Sequence, residues 1–204
     1  MNSITFIKRL RNLCLLLQLF YGSTSFGLFD GQFLVGRSWY STDDDGGTAH
    51  STYGIAGHVD PIPLLPISFG VMITSSDLLD REKTEGVDVD PIFNLGLDVM
   101  GWIPFVPVVT PYGRLTLLVH GKSGTKADGI EVEMDLSEGH LLSFGAKYPL
   151  LPLIEIFAEV GRGVTMLKLT KCTNNGSDCL DLLGGGGKSA LKQDRFVIGV
   201  QAGI

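Results

Sequence analysis

Charged, histidine and amide side chains occur at alternating positions inside apolar segments, where catalytic or binding chemistry could be arranged. The set is His58, Asp60, Asp98, Arg114, His120, Lys147, Glu155, Glu159 and Gln201. Two suitably spaced carboxylates, or a carboxylate beside a histidine, could perform general acid–base catalysis. Glu155 and Glu159 would share one face of a strand but lie about 13 Å apart along it, because a strand rises about 3.3 Å per residue. That separation is too long for a paired mechanism.

A nucleophile and its base are the second kind of catalytic pair that the sequence offers. His140 and Ser143 lie in one segment, and their odd spacing sends the two side chains to opposite faces of a strand. A serine nucleophile needs its histidine within hydrogen-bond reach. We therefore expect the protein not to be an enzyme.

Two further motifs indicate neither a nucleotide nor a metal ion. Gly184–Gly187 followed by Lys188 is similar to the end of a phosphate-binding loop, but Leu182 occupies the position where that motif needs another glycine. The acidic run Asp43–Asp45 lacks the spaced ligands and the distal glutamate of a calcium loop. We predict flexible loops at both places, with no cofactor and no metal.

The first 27 residues have the composition of a secretory signal. Three basic residues, Lys8, Arg9 and Arg11, precede an apolar run at Leu13–Phe20, and small residues follow. The alternative is a membrane-anchoring helix, but this run is much shorter than the about 20 residues that span a bilayer. We therefore predict a cleaved signal at 1–27 and a mature protein of 28–204.

The mature chain is acidic and carries two cysteines. Removing three of the 16 Lys and Arg residues and none of the 22 Asp and Glu residues leaves a net charge of 13 − 22 = −9. An acidic chain without a basic stripe argues against a nucleic-acid partner. Cys172 and Cys179 lack the second pair or the histidine that a zinc site needs. In an oxidising compartment we expect them to form a disulfide within a loop.

An internal proline repeat predicts the strand count. Pro-x-x-Pro units occur within 62–67, 103–108 and 148–153, and proline is excluded from central sheet ladders, so each unit predicts a turn. A polyproline ligand is the alternative, but it gives no reason for a spacing of two strand lengths. Four polar stretches, predicted to be loops, alternate with these turns: 41–50, 75–90, 121–138 and 168–194. Four loops and three turns require eight strands.

Between turns and loops, apolar side chains alternate with polar or small ones. The pattern is clear in 67–74, 93–100, 142–148 and 196–203. A strand with lipid on one side and a polar lumen on the other must alternate in this way, and about ten residues suffice to cross a membrane. A soluble sandwich or lipocalin-like barrel also alternates, with its apolar face inward. The signal and the apolar turns favour the membrane protein.

In these features the chain resembles the small outer-membrane barrels of the OmpA and OmpX type, over about residues 28–204. The resemblance implies an all-β, eight-stranded, antiparallel up-and-down transmembrane β-barrel in the outer membrane of a Gram-negative bacterium, with long loops outside the cell. It also implies insertion by the barrel-assembly machinery. The chain ends on Ile204, where such proteins usually end on an aromatic residue, and its turns are more apolar than is usual in the family.

A narrow eight-stranded lumen predicts how the inward charges are arranged. Such a barrel is just wide enough for its side chains to fill, and buried charges of both signs should pair. We expect a salt-bridge network formed by Arg114, Lys147, Asp98, Glu155, Glu159 and His58. The alternative is a gated ion path through the lumen.

Arg37 and Arg162 fall on the outward face near the outer end of their strands. There they could contact lipopolysaccharide phosphates; the alternative is that their side chains only extend to the interface without specific binding. The sequence thus predicts a non-enzymatic barrel with a role in membrane structure, lipid contact or surface interaction. The alternative function is a small porin, or a homo-oligomeric assembly that encloses a lipid or solute path.

Overall fold

A computed structural model describes residues 29–42, 47–61, 65–78, 87–103, 108–151, 153–180 and 188–203. Within these ranges no helix is long and apolar enough to cross a membrane. Several predicted features lie outside the described residues: the signal at 1–27, the acidic run at 43–45, the glycines at 184–187 and Ile204. Of the proline repeats, residues 62–64, 104–107 and 152 also lie outside them.

Ten strands account for most of the described chain. They are β1 (Phe29–Ser41), β2 (Thr48–Val59), β3 (Ile67–Leu78), β4 (Val87–Val89), β5 (Ile92–Trp102), β6 (Thr110–Ala127), β7 (Ile130–Leu151), β8 (Ile154–Asn174), β9 (Ser177–Asp178) and β10 (Lys188–Gly203). Each strand is joined to its neighbours by antiparallel pairing, and β10 pairs with both β1 and β8. The sheet therefore closes into a ring.

Eight long strands form this ring, and the short strands β4 and β9 add to the edges of β6 and β8. The strands on either side of each proline repeat, β2 and β3, β5 and β6, β7 and β8, pair with one another. The predicted fold, an eight-stranded antiparallel up-and-down barrel, is confirmed. We call the end with the proline repeats the turn end and the opposite end the loop end.

Side-chain alternation places apolar groups on the outside of the ring. Phe33 is 54% exposed and Phe144 is 60% exposed, whereas the inward Leu34 and Met100 are fully buried. Polar and charged inward residues such as Arg114 are equally buried. A soluble barrel has the opposite arrangement, so this outer face is suited to hydrocarbon.

The predicted loops at 121–138 and 168–194 are wrong, because most of both stretches is strand. Strands β6 and β7 continue to a tight turn at Asp128 and Gly129, with φ of 46° and 82°. Strands β8 and β9 meet at Asn175 and Gly176, with φ of 48° and 83°. Asp-Gly and Asn-Gly pairs favour two-residue hairpin turns because both central residues need positive φ. The charged residues of these strands gave both stretches the composition of loops, so the hairpin turns were not predicted.

The barrel is much taller on one side than on the other. Strands β6, β7 and β8 contain 18, 22 and 21 residues, whereas β1, β2, β3 and β5 contain 11 to 13. We call the extension the wall: residues 120–138 of β6 and β7 with 166–174 of β8. The remaining ring is the body. At about 3.3 Å per residue the wall rises roughly 25–30 Å along its strands.

Two bulges separate the wall from the body. In β6, Leu95 pairs with His120 and Gly96 with Leu118, so Val119 has no partner. In β7, Glu138 and Gly139 together oppose Thr165, and Glu138 has a φ of 54°. A bulge shifts the phase of a strand by one residue. His120, predicted to face the lumen, is therefore exposed on the outside.

Candidate functional site

A cluster of charges fills the middle of the lumen around Arg114. Its guanidinium lies 3.0 Å from the Glu159 carboxylate and 3.3 Å from the Asp98 carboxylate. All three residues are only 1% exposed. Strands β5, β6 and β8 place them at inward positions of the alternation. Because the charges are opposite and close, the Arg114 cation compensates part of the cost of burying the two anions.

Arg195 completes this cluster, and the sequence reasoning did not find it. It is 3% exposed and forms an ion pair with Glu159, while its Nη2 donates to Ser143 Oγ at 3.4 Å. The sequence assigned 168–194 to a loop and started the last strand at Phe196. Gln201 and Val197 are inward positions of an alternation with a period of two, and the next inward position before Val197 is Arg195.

His58 links the cluster to a second carboxylate. Its Nε2 lies 2.7 Å from Asp98 Oδ2, and its Nδ1 lies 3.0 Å from Asp30 Oδ1. Thr116 Oγ1 donates to Asp98 Oδ1 at 3.0 Å. An imidazolium donates from both ring nitrogens, so the protonated form of His58 suits this position between two acceptors. We call Asp30, His58, Asp98, Arg114, Glu159 and Arg195 the plug.

Lys147 and Glu155, predicted in the same network, lie closer to the turn end. The Lys147 ammonium lies 5.3 Å from the centre of the Tyr112 ring and 5.8 Å from that of Trp102. Within the described ranges, no carboxylate comes within 4 Å of it. Aromatic faces attract a cation, so Lys147 is stabilised by rings rather than by a direct ion pair. Tyr112 connects it to the plug by donating to Glu159 at 3.0 Å.

Above the plug the lumen is polar and then apolar. Thr52 donates to Ser38 at 2.8 Å and lies 2.9 Å from Ser76. An apolar cluster closes the loop end; its members are Tyr40, Ile92, Leu118, Leu136, Leu167 and Leu191. A cavity of about 40 Å³ remains between these layers, which is room for a few water molecules. Among the described residues, the plug and the apolar cluster both occupy the lumen.

The structure does not bring together His140 and Ser143, the histidine and serine that the sequence offered as a base and a nucleophile. Ser143 is fully buried in the lumen whereas His140 is exposed on the outside. His120 also lies outside, and no group of three metal-binding side chains occurs among the described residues. The described inward charges of the plug are joined by ion pairs.

The two outward arginines differ in their surroundings. Arg162 makes a bidentate pair with Asp194, with Nε at 2.7 Å from Oδ1 and Nη2 at 3.1 Å from Oδ2. The Arg162 side chain is still 83% exposed. Arg37 is exposed on β1, opposite Phe196 of β10 and close to Trp39. Both arginines thus lie at outward positions near the loop end of the body, on two strands that are separated by β10.

The wall reverses the polarity of the body. Its outward face carries ion pairs between neighbouring strands: Lys126 lies 2.9 Å from Glu131, and Lys171 lies 3.3 Å from Glu131 and 2.6 Å from Glu133. The hydrogen bonds from Lys126 and Lys171 hold the pKa of the Glu131 carboxyl below its ordinary value. Its inward face includes Leu136, which packs in the apolar cluster. A charged outward face of this kind is suited to water and not to hydrocarbon.

A disulfide fastens the tip of the wall. Cys172 of β8 and Cys179 after β9 are bonded, and both are largely buried. The Cys179 amide also donates to the Cys172 carbonyl at 3.0 Å. The hairpin turn at Asn175 and Gly176 brings the two cysteines together. The bond therefore closes a short loop rather than joining distant strands.

Comparison with known proteins shows the fold. No protein-family model and no curated protein matches the chain. Neisserial surface protein A is 14% identical with a TM-score of 0.62, over 86% of this chain and 97% of that one. Ail, the attachment invasion locus protein of Yersinia pestis, is 13% identical with a TM-score of 0.52, over 86% and 97%. The chain has the fold of a small eight-stranded outer-membrane barrel, and its apolar outer face agrees with an outer-membrane location.

Proposed function

We propose that this chain is a non-enzymatic outer-membrane barrel whose lumen is closed and whose function resides in its outer surfaces. The plug is the observation that carries this proposal. Arg114, Asp98 and Glu159 are each 1% exposed, and both carboxylates pair with Arg114, so the lumen has little room for a solute. Two surfaces remain for interaction: the lipid-facing side of the body and the wall above it.

A closed lumen follows from the cost of disturbing the plug. An ion that crosses the barrel must separate Arg114 from Glu159, which lie 3.0 Å apart, and leave charges without partners. Removing one partner of a buried pair costs about 3–5 kcal/mol. Opening is therefore rare at equilibrium. The small porin and the oligomeric assembly remain as the alternatives that the test below distinguishes.

The loop-end arginines support lipid contact. Arg37 and Arg162 project outward near the level where the apolar side chains end, and guanidinium groups bind phosphate with paired hydrogen bonds. Lipopolysaccharide phosphates at that level would bind Arg37 directly. They would bind Arg162 by replacing Asp194 as the partner of its guanidinium group. Arg37→Ala should lower the thermal stabilisation that added lipopolysaccharide gives the folded protein, whereas Lys126→Ala, on the wall, should leave it unchanged. Equal stabilisation of all three proteins would contradict the contact.

The wall supports a role in surface interaction. It is a pre-formed sheet that stands above the body, with cross-strand ion pairs and a disulfide at its tip. A rigid surface loses little conformational entropy when it binds a partner. We propose the wall as the part of the protein that contacts molecules outside the cell.

The test of the closed lumen is solute entry into proteoliposomes. We expect no swelling with a small sugar such as arabinose for the wild-type protein, and none for Glu133→Ala, which changes only an exposed pair of the wall. Swelling of wild-type proteoliposomes would favour the porin. Mass spectra of lipopolysaccharide from expressing cells should be unchanged, and a new lipid A species would overturn the non-enzymatic part of the proposal.

A further inference from the structure

The turn end of the barrel is unexpectedly apolar for a surface next to water. Ile103, Leu150 and Leu153 are 60%, 58% and 57% exposed, and Val108 is 51% exposed. None of these side chains is shielded by another part of the described chain. Exposed apolar groups that are contiguous indicate contact with lipid or with protein.

The height of the apolar band on the body suggests which of the two applies. On five ring strands, the first polar outward residue at the loop end and the last outward residue at the turn end are eight positions apart. The pairs are Arg37 and Phe29, Ser51 and Val59, Ser75 and Ile67, Arg162 and Ile154, and Asp194 and Ala202. The band is therefore equally high around most of the ring.

Eight residues are too few to match the usual membrane thickness. At about 3.3 Å per residue, eight residues extend about 26 Å along a strand, and a tilt of about 40° reduces the height to about 20 Å. The apolar band of outer-membrane barrels is about 25 Å high. The strands alone thus leave about 5 Å of hydrocarbon without a matching protein surface.

The turn-end side chains supply this missing height. Ile103 and Val108 are exposed just beyond the ends of β5 and β6, and Leu150 is exposed near the turn end of β7, two positions past Tyr148. The charges at the same end, Asp30 and Lys147 among them, face the lumen, where Asp30 binds His58 and Lys147 lies against aromatic rings. Within the described residues, the outward face carries no charge between the level of Arg37 and the turn end.

We propose that the turn end is immersed in the acyl chains of the adjacent leaflet, so that its apolar turns, and not water-exposed loops, form the lower edge of the membrane-embedded surface. The partner is lipid hydrocarbon rather than a second copy of the chain or another protein. This inference deepens the proposed lipid contact, but it does not depend on a closed lumen. The barrel then sits with its turns inside the bilayer and its wall wholly outside.

Spin-label accessibility in bilayers tests this position. Leu150→Cys and Val108→Cys, labelled with a nitroxide, probe two different turns of the full chain in phosphatidylcholine vesicles. Phe144→Cys is the matched control for the lipid-facing body, and Lys126→Cys is the control for water. Collision rates with oxygen report hydrocarbon, and collision rates with a water-soluble nickel chelate report water. Using two turns keeps the test valid when one labelled variant does not fold.

We expect the turn labels to behave like the Phe144 label: the oxygen-to-nickel collision ratio should be severalfold higher than at Lys126. A ratio equal to that at Lys126 would mean that the turns lie in water, and would overturn the proposal. Low collision rates with both reagents would mean that protein covers the turns, and would overturn it in favour of a second copy or another partner. Neither result would alter the swelling experiment, so this inference and the closed lumen can fail separately.

Discussion

The body and the wall are built from the same strands but have opposite polarity. In the body, Phe144 faces outward and is 60% exposed, whereas Arg114 faces the lumen and is 1% exposed. In the wall, Lys126 and Glu131 form the outward surface, and Leu136 packs inward. Away from the bulges, both regions keep the period of two. The solvent on the outside therefore determines which set of alternating side chains is apolar.

The bulges are located where this polarity changes. Val119 and Glu138 lie between the last apolar outward residues of β6 and β7 and the charged face of the wall. Each bulge shifts the alternation by one residue, and His120 becomes an outward group at the boundary. The change of phase marks the level at which the chain leaves hydrocarbon.

The comparison also predicts that removing one partner of an ion pair lowers the stability more in the lumen of the body than on the outward face of the wall. Breaking a buried pair by removing one partner costs about 3–5 kcal/mol, whereas an exposed pair contributes about 0–1 kcal/mol. Glu159 contacts two guanidinium groups and a phenol in the lumen. Glu133 contacts one exposed ammonium on the wall.

Glu159→Ala is the change with the largest expected effect. We expect the free energy of unfolding to fall by about 3–5 kcal/mol, because Arg114 and Arg195 lose their shared carboxylate in a buried site. Urea unfolding in lipid vesicles, followed by the loss of the fast-migrating folded band on a gel, measures this value. Glu133→Ala is the matched control, and equal losses for the two variants would remove the distinction between body and wall.

A charge placed on the outward face gives the next largest effect. Phe144→Arg should lower the free energy of unfolding by about 2–4 kcal/mol, because Phe144 lies midway along the apolar band. Ser137→Arg, on the outward face of the wall, should change it by less than about 0.5 kcal/mol. The same unfolding measurement applies. If Phe144→Arg left the free energy of unfolding unchanged, that face would lie in water, and this would contradict a membrane-embedded body.

Loss of the disulfide should weaken the wall and leave the body intact. Opening the loop between Cys172 and Cys179, which are seven positions apart, should cost about 2.5 kcal/mol by loop-closure entropy. Cys172→Ser with Cys179→Ser should therefore accelerate amide exchange in β9 and the end of β8, with unchanged exchange at Arg114. Faster exchange in both regions would show that the wall and the body unfold as one unit.

Lowering the pH should have the smallest of these effects, and it should act on the stability of the wall. The lowered pKa of Glu131 means that its contribution to stability is complete above its ordinary value of 4.5 and is lost as the pH falls through the lowered value. We expect amide exchange at the Asp128–Gly129 hairpin, corrected for intrinsic rates, to increase only below that range. Glu131→Gln should remove the pH dependence. An increase between pH 6 and 7 would require a different group.

The ring could be predicted from the sequence because its signals are local. The alternation in segments such as 67–74 can be recognised from the order of residues along one strand. The spacing of the proline repeats gives the strand count. The wall was missed because its alternation has charged residues on the outward face, and such stretches have the composition of loops. The pairs Asp128-Gly129 and Asn175-Gly176 were the available evidence for hairpins there.

Which charged residues pair with one another in the lumen could not be predicted from the sequence in the same way. Which inward charges meet depends on the stagger between strands and on bulges, and both are properties of the closed ring. His58, Asp98, Arg114 and Glu159 meet, whereas Lys147 instead lies against Tyr112 and Trp102. Arg195 was missed by one residue, because the last strand was started too late.

Conductance across a planar lipid bilayer tests the closed lumen most directly. If the ion pairs of the plug close the lumen as proposed, purified wild-type protein in 1 M KCl should insert without discrete current steps. Insertion is verified separately by the folded band in the same lipids. Regular single-channel steps from the wild-type protein would contradict the account and identify the lumen as a pore.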